Sequence, residues 1–331
     1  MRRENPYTYN PLASFPALPA QLMKIVRGLT NARPSDRGCV LTIGNFDGMH
    51  LGHEAIVAHL AARGSEHGLP TAMLTFEPNP REYFDPGNAP ARLMRLRDKA
   101  ARLVELGLDR LILLRFDERL RAWNGSEFIE RVLVEALGVR HIVIGSAFRF
   151  GKGRSGTVEL LRQVGERHGY QVDEVGAVQV DGDRVSSTRI RAALARGEMA
   201  TVRRLLGRDY RMTGRVMEGR RLGRTLGYAT ANLRLHRRVS PVAGVFAVRV
   251  HGIDGGTRPG VASVGSRPTV GGGEVLLEAH VFDWQGDLYG RYLGVDFVAK
   301  LREESKFQDI DALVERMHVD AREARQVLAA G

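Results

Sequence analysis

An α/β domain on a parallel sheet, followed by a smaller antiparallel β-domain closed by a helix, is the architecture this sequence predicts. Three observations carry it. The chain has 331 residues, too many for one ordinary domain. Between residues 39 and 168, short apolar runs alternate with segments of helical spacing. Beyond residue 206 the strand-like runs succeed one another across Gly and Pro, without long helices between them.

Residues 1–22 stand apart, with Pro6, Pro11, Pro16 and Pro19 and no periodic pattern. They lack the apolar stretch and small-residue cleavage site of a signal peptide. They are expected to be disordered, or to precede a true start at Met23. The runs 39–43, 72–76, 111–114 and 142–144 read as strands; 53–63, 93–106, 126–137 and 157–168 read as helices. Such alternation implies a parallel sheet with crossover helices on both faces. A helical stretch at 188–206 ends this domain, giving boundaries of 23–206 and 207–331. The runs 242–250, 261–264, 275–281 and 292–297 then suit an antiparallel barrel or sandwich, and 308–329 a closing helix.

Composition narrows the function. The formal charge is +11, and Lys24, Lys99, Lys152, Lys300 and Lys306 are the only lysines in an arginine-rich chain. Anionic partners follow, either nucleic acid or phosphate-rich small molecules. The basic residues are spread along the chain instead of gathered in a tail, which favours nucleotides over a duplex. No apolar run approaches the roughly 18 residues of a membrane span. The one cysteine, Cys39, has no internal partner, so a reducing cytoplasm is expected. Nothing in the sequence excludes self-association.

Strand 39–43 leads into Gly44-Asn45-Phe46-Asp47-Gly48-Met49-His50-Leu51-Gly52-His53 and then a helix. Glycines admit a ligand close to the backbone, and a helix N-terminus offers N–H groups to phosphate. His50 and His53, three apart, lie on one side of a helix start and can stabilise charge on a phosphate under attack. Zinc is the competing reading, but no cysteine pair or His-Glu-x-x-His accompanies them. A second signal is Arg184-Val185-Ser186-Ser187-Thr188-Arg189-Ile190-Arg191, hydroxyls and arginines at a helix start. An N-cap serine explains part of it equally well. Gly151–Gly156 has dinucleotide-binding spacing but follows the fourth strand instead of opening the fold. No P-loop string occurs.

In the second half, Gly219-Arg220-Arg221-Leu222-Gly223-Arg224-Thr225-Leu226-Gly227 is a flexible basic loop ahead of Tyr228-Ala229-Thr230-Ala231-Asn232. A glycine loop can cover phosphates, Thr230 and Asn232 offer oxygens to Mg²⁺, and Glu278 can accept a hydroxyl proton. These are the parts phosphoryl transfer needs. A hairpin turn and one exposed strand glutamate would read the same from spacing.

His-x-Gly-His together with Ser-Ser-Thr-x-Ile-Arg resembles the nucleotidyltransferase superfamily. The strings Thr42–His53, Thr75–Pro80, Phe148–Gly151 and Arg184–Arg191 resemble, in order, the bifunctional bacterial riboflavin kinase/FAD synthetases. In the second half, Gly244–Val248, Arg267-Pro268-Thr269, Asp287–Gly290 and Leu301-Arg302-x-Glu304-x-Lys306-Phe307 are similar to that family's kinase module. The resemblance covers residues 23–325 and implies a Rossmann-like sheet, then a six-stranded antiparallel β-barrel with a terminal helix. It implies two reactions: ATP phosphorylates riboflavin to FMN in the C-terminal domain, and ATP adenylylates FMN to FAD in the N-terminal one. Gly44, Phe46, Asp47, Gly48, Gly52, Arg184, Ser187, Thr188 and Arg191 would bind ATP beside His50 and His53. Gly219, Gly223, Arg224 and Gly227 would bind the kinase's ATP, Thr230 and Asn232 its Mg²⁺, and Glu278 would be its base.

The sequence departs from the family at three places. Asn79 stands where a histidine is usual, Ala147 where Asp or Asn is usual, and Ala229 where proline precedes the threonine. The first two fall on the flavin side of the adenylyltransferase, so kinase activity with weakened FAD synthesis is expected. The alternative is a riboflavin kinase carrying a nucleotide-binding regulatory domain.

Overall fold

A computed structural model describes residues 23–218, 230–237, 239–267 and 274–330. The chain divides into two compact units between Arg189 and Ile190. The extension 1–22 and the loop 219–229 lie outside the described residues.

In the first unit, six strands form one sheet: β1 Lys24–Arg27, β2 Val40–Ile43, β3 Thr71–Glu77, β4 Arg110–Arg115, β5 His141–Gly145 and β6 Gln171–Val175. Their order is β1-β4-β3-β2-β5-β6 and every pairing is parallel. The crossovers are α1 Leu51–His67, α2 Pro80–Phe84, α3 Leu96–Glu105, α4 Glu118–Ala122, α5 Gly125–Phe128 and α6 Val158–His168, with α5 running on as a π-helix at Ile129–Ala136. The central strands are apolar on both faces. Leu41, Ile43, Ile112, Leu114, Ile142 and Ile144 face the layer of the π-helix and α6. Their neighbours Val40, Leu111, Leu113 and Val143 face Val57 and Leu60 of α1 and Leu103 of α3. That is the period-two pattern of a sheet covered on both sides. The four strands read from the sequence are all present. Edge strands β1 and β6 were not read, because each has only one neighbouring strand and mixes charge into its sequence.

A short hairpin, β7 Gln179–Val180 and β8 Asp183–Arg184, precedes α7 Ser187–Arg196 and α8 Met199–Leu206. The single helical stretch expected at 188–206 is therefore two helices. Gly197, at φ 73°, ends the first.

The second unit is a closed barrel, not a sandwich. Its strands are β9 Tyr210–Met217, β10 Thr230–Arg234, β11 Gly244–Ile253, β12 Gly256–Arg267, β13 Glu274–Val281 and β14 Tyr292–Arg302. They close in the order β10-β13-β12-β11-β14-β9, antiparallel throughout. Helix α9, Ile310–Ala329, is capped by the Asp309 carboxylate, which accepts from the Ala312 N–H at 2.8 Å. Its Ala321 and Ala324 pack on Ala247 and Phe282 outside the barrel. Helix α8 packs on β9 and β14, so the division at Ile190 falls ahead of the residue-207 boundary read from the sequence.

Candidate active sites

In the parallel sheet the strand order reverses between β2 and β5. Ligands on such sheets bind beyond the carboxyl ends of strands at that reversal. The segment Gly44–His53 leaves the end of β2, and Ala147 follows β5, so both lie at this crevice.

Three left-handed or near-left-handed positions within four residues shape the loop: Phe46 at φ 46°, Gly48 at 91° and Met49 at 42°. Non-glycine residues seldom adopt such angles, so the surroundings must hold them. Phe46 and Met49 are buried in the core beneath. The Asp47 carboxylate accepts from the Leu93 N–H at 3.0 and 3.1 Å and the Met94 N–H at 3.0 Å. A Cβ on Gly48 would stand 2.7 Å from Leu93 Cδ1, and one on Gly44 3.0 Å from the Phe46 ring.

His50 caps α1, its Nδ1 accepting from the His53 N–H at 3.3 Å. A ring nitrogen that accepts carries no proton, so the proton of a neutral His50 sits on Nε2. The two imidazoles stack with centroids 3.6 Å apart, and the Phe46 ring meets His53 edge-on at 5.1 Å. Gly52 makes room for this: a Cβ there would lie 3.2 Å from His50 Nδ1. The expected pairing of the histidines on one side of a helix start is thus present.

Ser187 Oγ donates to the Asp47 carbonyl at 2.8 Å, joining the two sequence motifs across 140 positions. The hydroxyl proton of Ser187, a residue expected to bind ATP, is thus directed at the loop. Ser186 Oγ accepts from the Arg189 N–H at 3.2 Å, an N-cap for α7. Arg184 and Thr188 are exposed, and Arg191 lies in α7. Asn79 is itself a cap: its Oδ1 accepts from the Arg81 N–H at 3.1 Å, and its own N–H meets Glu82. Ala147 is exposed in the turn that Phe148 N–H closes onto Gly145 O at 3.0 Å.

Sequence reasoning missed Lys99. From α3 its buried Nζ donates to the Asn45 carbonyl at 2.6 Å and lies 3.4 Å from Thr75 Oγ1. Burial pushes its ammonium down to about 8, against the pull of Asp47. No spacing rule marks it.

The second site lies on the outer face of the barrel. Ala231, Leu233, Leu277 and Ala279 are buried side chains, so the alternate residues face outward. Asn232 stands opposite Glu278, and Glu278 opposite Ser263, in one row across β10, β13 and β12. Thr230 lies two residues from Asn232 and shares its face. A cavity of about 310 Å³ contains Thr230, Glu278 and Ser263, with Leu313 and Met317 of α9 on its wall. Arg302, Glu304 and Phe307 also line it, residues quoted from the sequence but given no role there. Arg302 is held by Asp320, with Nε 2.9 Å from Oδ1 and Nη2 2.7 Å from Oδ2. Glu304 is pushed upward by burial and by the charge of Glu278, against Arg302. A Cβ on Gly265 would meet the Glu304 carboxylate, the mobile end of that side chain, and would displace it. The loop glycines Gly219, Gly223 and Gly227, with Arg224, lie outside the described residues.

Two sites of different design thus occupy one chain. Residues 32–189 match the FAD synthetase family model, and residues 206–328 match that of riboflavin kinase. The chain belongs to the bifunctional riboflavin kinase/FMN adenylyltransferase family. It is 48% identical to the bifunctional riboflavin kinase/FMN adenylyltransferase of Pseudomonas fluorescens, over 93% of this chain and 98% of that one. The Haemophilus influenzae relative of the same description is 45% identical, over 92% and 98%. That of Escherichia coli K12 is 43% identical, over 92% and 97%. A solved structure from Streptococcus pneumoniae, described as a macrolide-efflux protein, superposes with a TM-score of 0.79 at 28% identity, covering 92% of this chain and 99% of that one. None of the described helices here is long and apolar enough to cross a membrane.

Proposed function

We infer that this chain makes FMN from riboflavin and ATP in its barrel, and FAD from FMN and ATP on its parallel sheet, with residues 207–331 and 23–206 as the working domains. The observation that carries the first reaction is the pairing of Asn232 with Glu278 across two strands, with Thr230 on the same face and Thr230 and Glu278 lining one cavity. Glu278 accepts the proton of the ribityl 5′-hydroxyl as its oxygen attacks the γ-phosphorus, and ADP leaves. The hydroxyl of Thr230 and the amide oxygen of Asn232 are hard donors that suit Mg²⁺. Among the described residues no group of three His, Cys, Asp or Glu is arranged to hold a metal. Such an ion would therefore rest on these two oxygens and the phosphates, and would neutralise phosphate charge.

In the adenylyl transfer, an oxygen of FMN's ionised phosphate attacks the α-phosphorus and pyrophosphate leaves. No protein base is required. His50 Nε2–H and His53 are positioned to stabilise charge on the α-phosphate, while Arg184, Thr188 and Arg191 bind the rest of the chain. Asn79 and Ala147 slow this step from the flavin side. The reducing cytoplasm remains the expected compartment. Cys39 is buried and its thiol is pushed up to about 12, so it is unreactive.

A chromatographic time course with riboflavin, excess ATP and Mg²⁺ tests this. FMN should accumulate and convert slowly to FAD, and Ala147→Asp should speed the second phase. Riboflavin left untouched would remove the kinase assignment. An Ala147→Asp chain no faster than the parent would clear Ala147 of any role.

A further inference from the structure

We propose that Lys99 is a positioning residue for adenylyl transfer, holding the loop Gly44–His50 in the shape that presents the two histidines. The proposal rests on the adenylyltransferase reading of the first unit. The loop has three positions in left-handed backbone, two of them not glycine. It is held at its sides by Asp47 on Leu93 and Met94 and by Ser187 on the Asp47 carbonyl. Its base is held by Lys99, whose Nζ ties the Asn45 carbonyl to Thr75 of β3.

The charge matters as well as the hydrogen bonds. Asp47 brings a nearly buried carboxylate beneath a loop that must receive phosphates. An uncompensated anion there would repel them, and the Lys99 ammonium offsets it. The other charged groups facing Lys99 are Glu77 of β3, Glu82 of α2 and Arg92, the last paired with both glutamates. Arg92 and its two carboxylates largely satisfy one another, which leaves Asp47 as the partner Lys99 must balance. Burial disfavours the ammonium, so it loses its proton as pH passes about 8. Above that pH a neutral amine faces Asp47, and the loop loses the positive charge of Lys99.

The test uses full-length Lys99→Met and Lys99→Arg, with FMN adenylylation, riboflavin phosphorylation and ATP affinity read on each. For the parent, kcat/KM of adenylylation should fall on the alkaline side near pH 8, since this ratio reports the free enzyme. Lys99→Met should lose on the order of 100-fold at neutral pH and show no such limb. Lys99→Arg, always charged, should move the limb out of range. Phosphorylation of riboflavin should be unchanged in both. Parent and Lys99→Met profiles of the same shape, or a Lys99→Met chain as fast as the parent, would overturn the proposal. If Lys99→Met does not fold, an unmoved limb in Lys99→Arg overturns it equally. A parent that adenylylates no FMN at any pH would instead overturn the reading of the domain. Calorimetric ATP binding across pH 7–9 to parent and Lys99→Arg would then decide the role of Lys99, which an identical pH dependence in the two would sink.

Discussion

At the residue scale the two sites ask opposite things of their acids and bases. The kinase needs a proton acceptor for a hydroxyl, and Glu278 sits in the row that also presents Asn232. In the proposed adenylyl transfer the attacking oxygen is already ionised and needs only charge stabilisation, the role proposed for His50 and His53, whose imidazoles stack. Glu278→Gln keeps the shape and removes the base. It should lower riboflavin phosphorylation by roughly 100- to 10,000-fold while leaving FMN-to-FAD conversion intact. Separate assays starting from riboflavin and from FMN would show it; equal losses in both would contradict the division of labour. His50, His53, Thr230, Asn232 and Glu278 were all legible in the sequence, because motif strings preserve chemistry and spacing. Lys99, Ser263 and Asp320 were not, because each stands near these sites only through contacts with residues distant in the chain.

At the element scale, the loop after β2 decides whether the first site exists. Its shape depends on Gly48, at φ 91° and packed against Leu93. Gly48→Ala forces a side chain into left-handed backbone and into Leu93 at once. The expected cost is on the order of 1–3 kcal/mol, with a fall in FAD synthesis and none in FMN synthesis. Thermal melting of the variant checks the first part. Strand reading succeeded where apolar residues run close together, as in β2 to β5 and β11 to β14, and failed at β1, β6, β9 and β10 and at the two-residue β7 and β8. The first two are edge strands. In β9 and β10, polar residues alternate with the buried ones, as in Thr230–Arg234, and barrel closure supplies the pairing. The break at Gly197 was missed because apolar periodicity continues through it.

At the scale of the whole molecule, both units carry carboxylates that oppose acid unfolding. In the first, burial raises Asp173, but hydrogen bonds from His59 and Arg63 outweigh it and hold the carboxyl near about 2. In the second, burial likewise raises Asp296, and Arg211 and His251 bring it below its usual value. A lowered folded-state pKa means stability that is full above the unfolded value near 4 and lost as pH falls through the folded one. The first unit should therefore lose stability as pH falls from about 4 toward 2, and the second as pH falls below about 4. Asp173→Asn should flatten that loss in the first unit alone, as denaturant titrations read at the two activities would register. A parent whose stability is constant over this range would contradict the assigned partners.

The sequence by itself determined the chemistry: two phosphate-handling motifs of different kinds, a doubly covered parallel sheet and an antiparallel β-domain after it, barrel or sandwich. Motifs and periodicity are local properties, and local order survives in a string. Only the tertiary structure decided how those parts work. It set the reversal between β2 and β5 that places the histidine loop, the register that puts Asn232 opposite Glu278, and the contact of Ser187 with Asp47. It also placed Lys99 under Asn45, where burial and one carboxylate decide whether its nitrogen carries a charge. Register, burial and charge pairing join residues far apart in the chain, and folding alone brings them together.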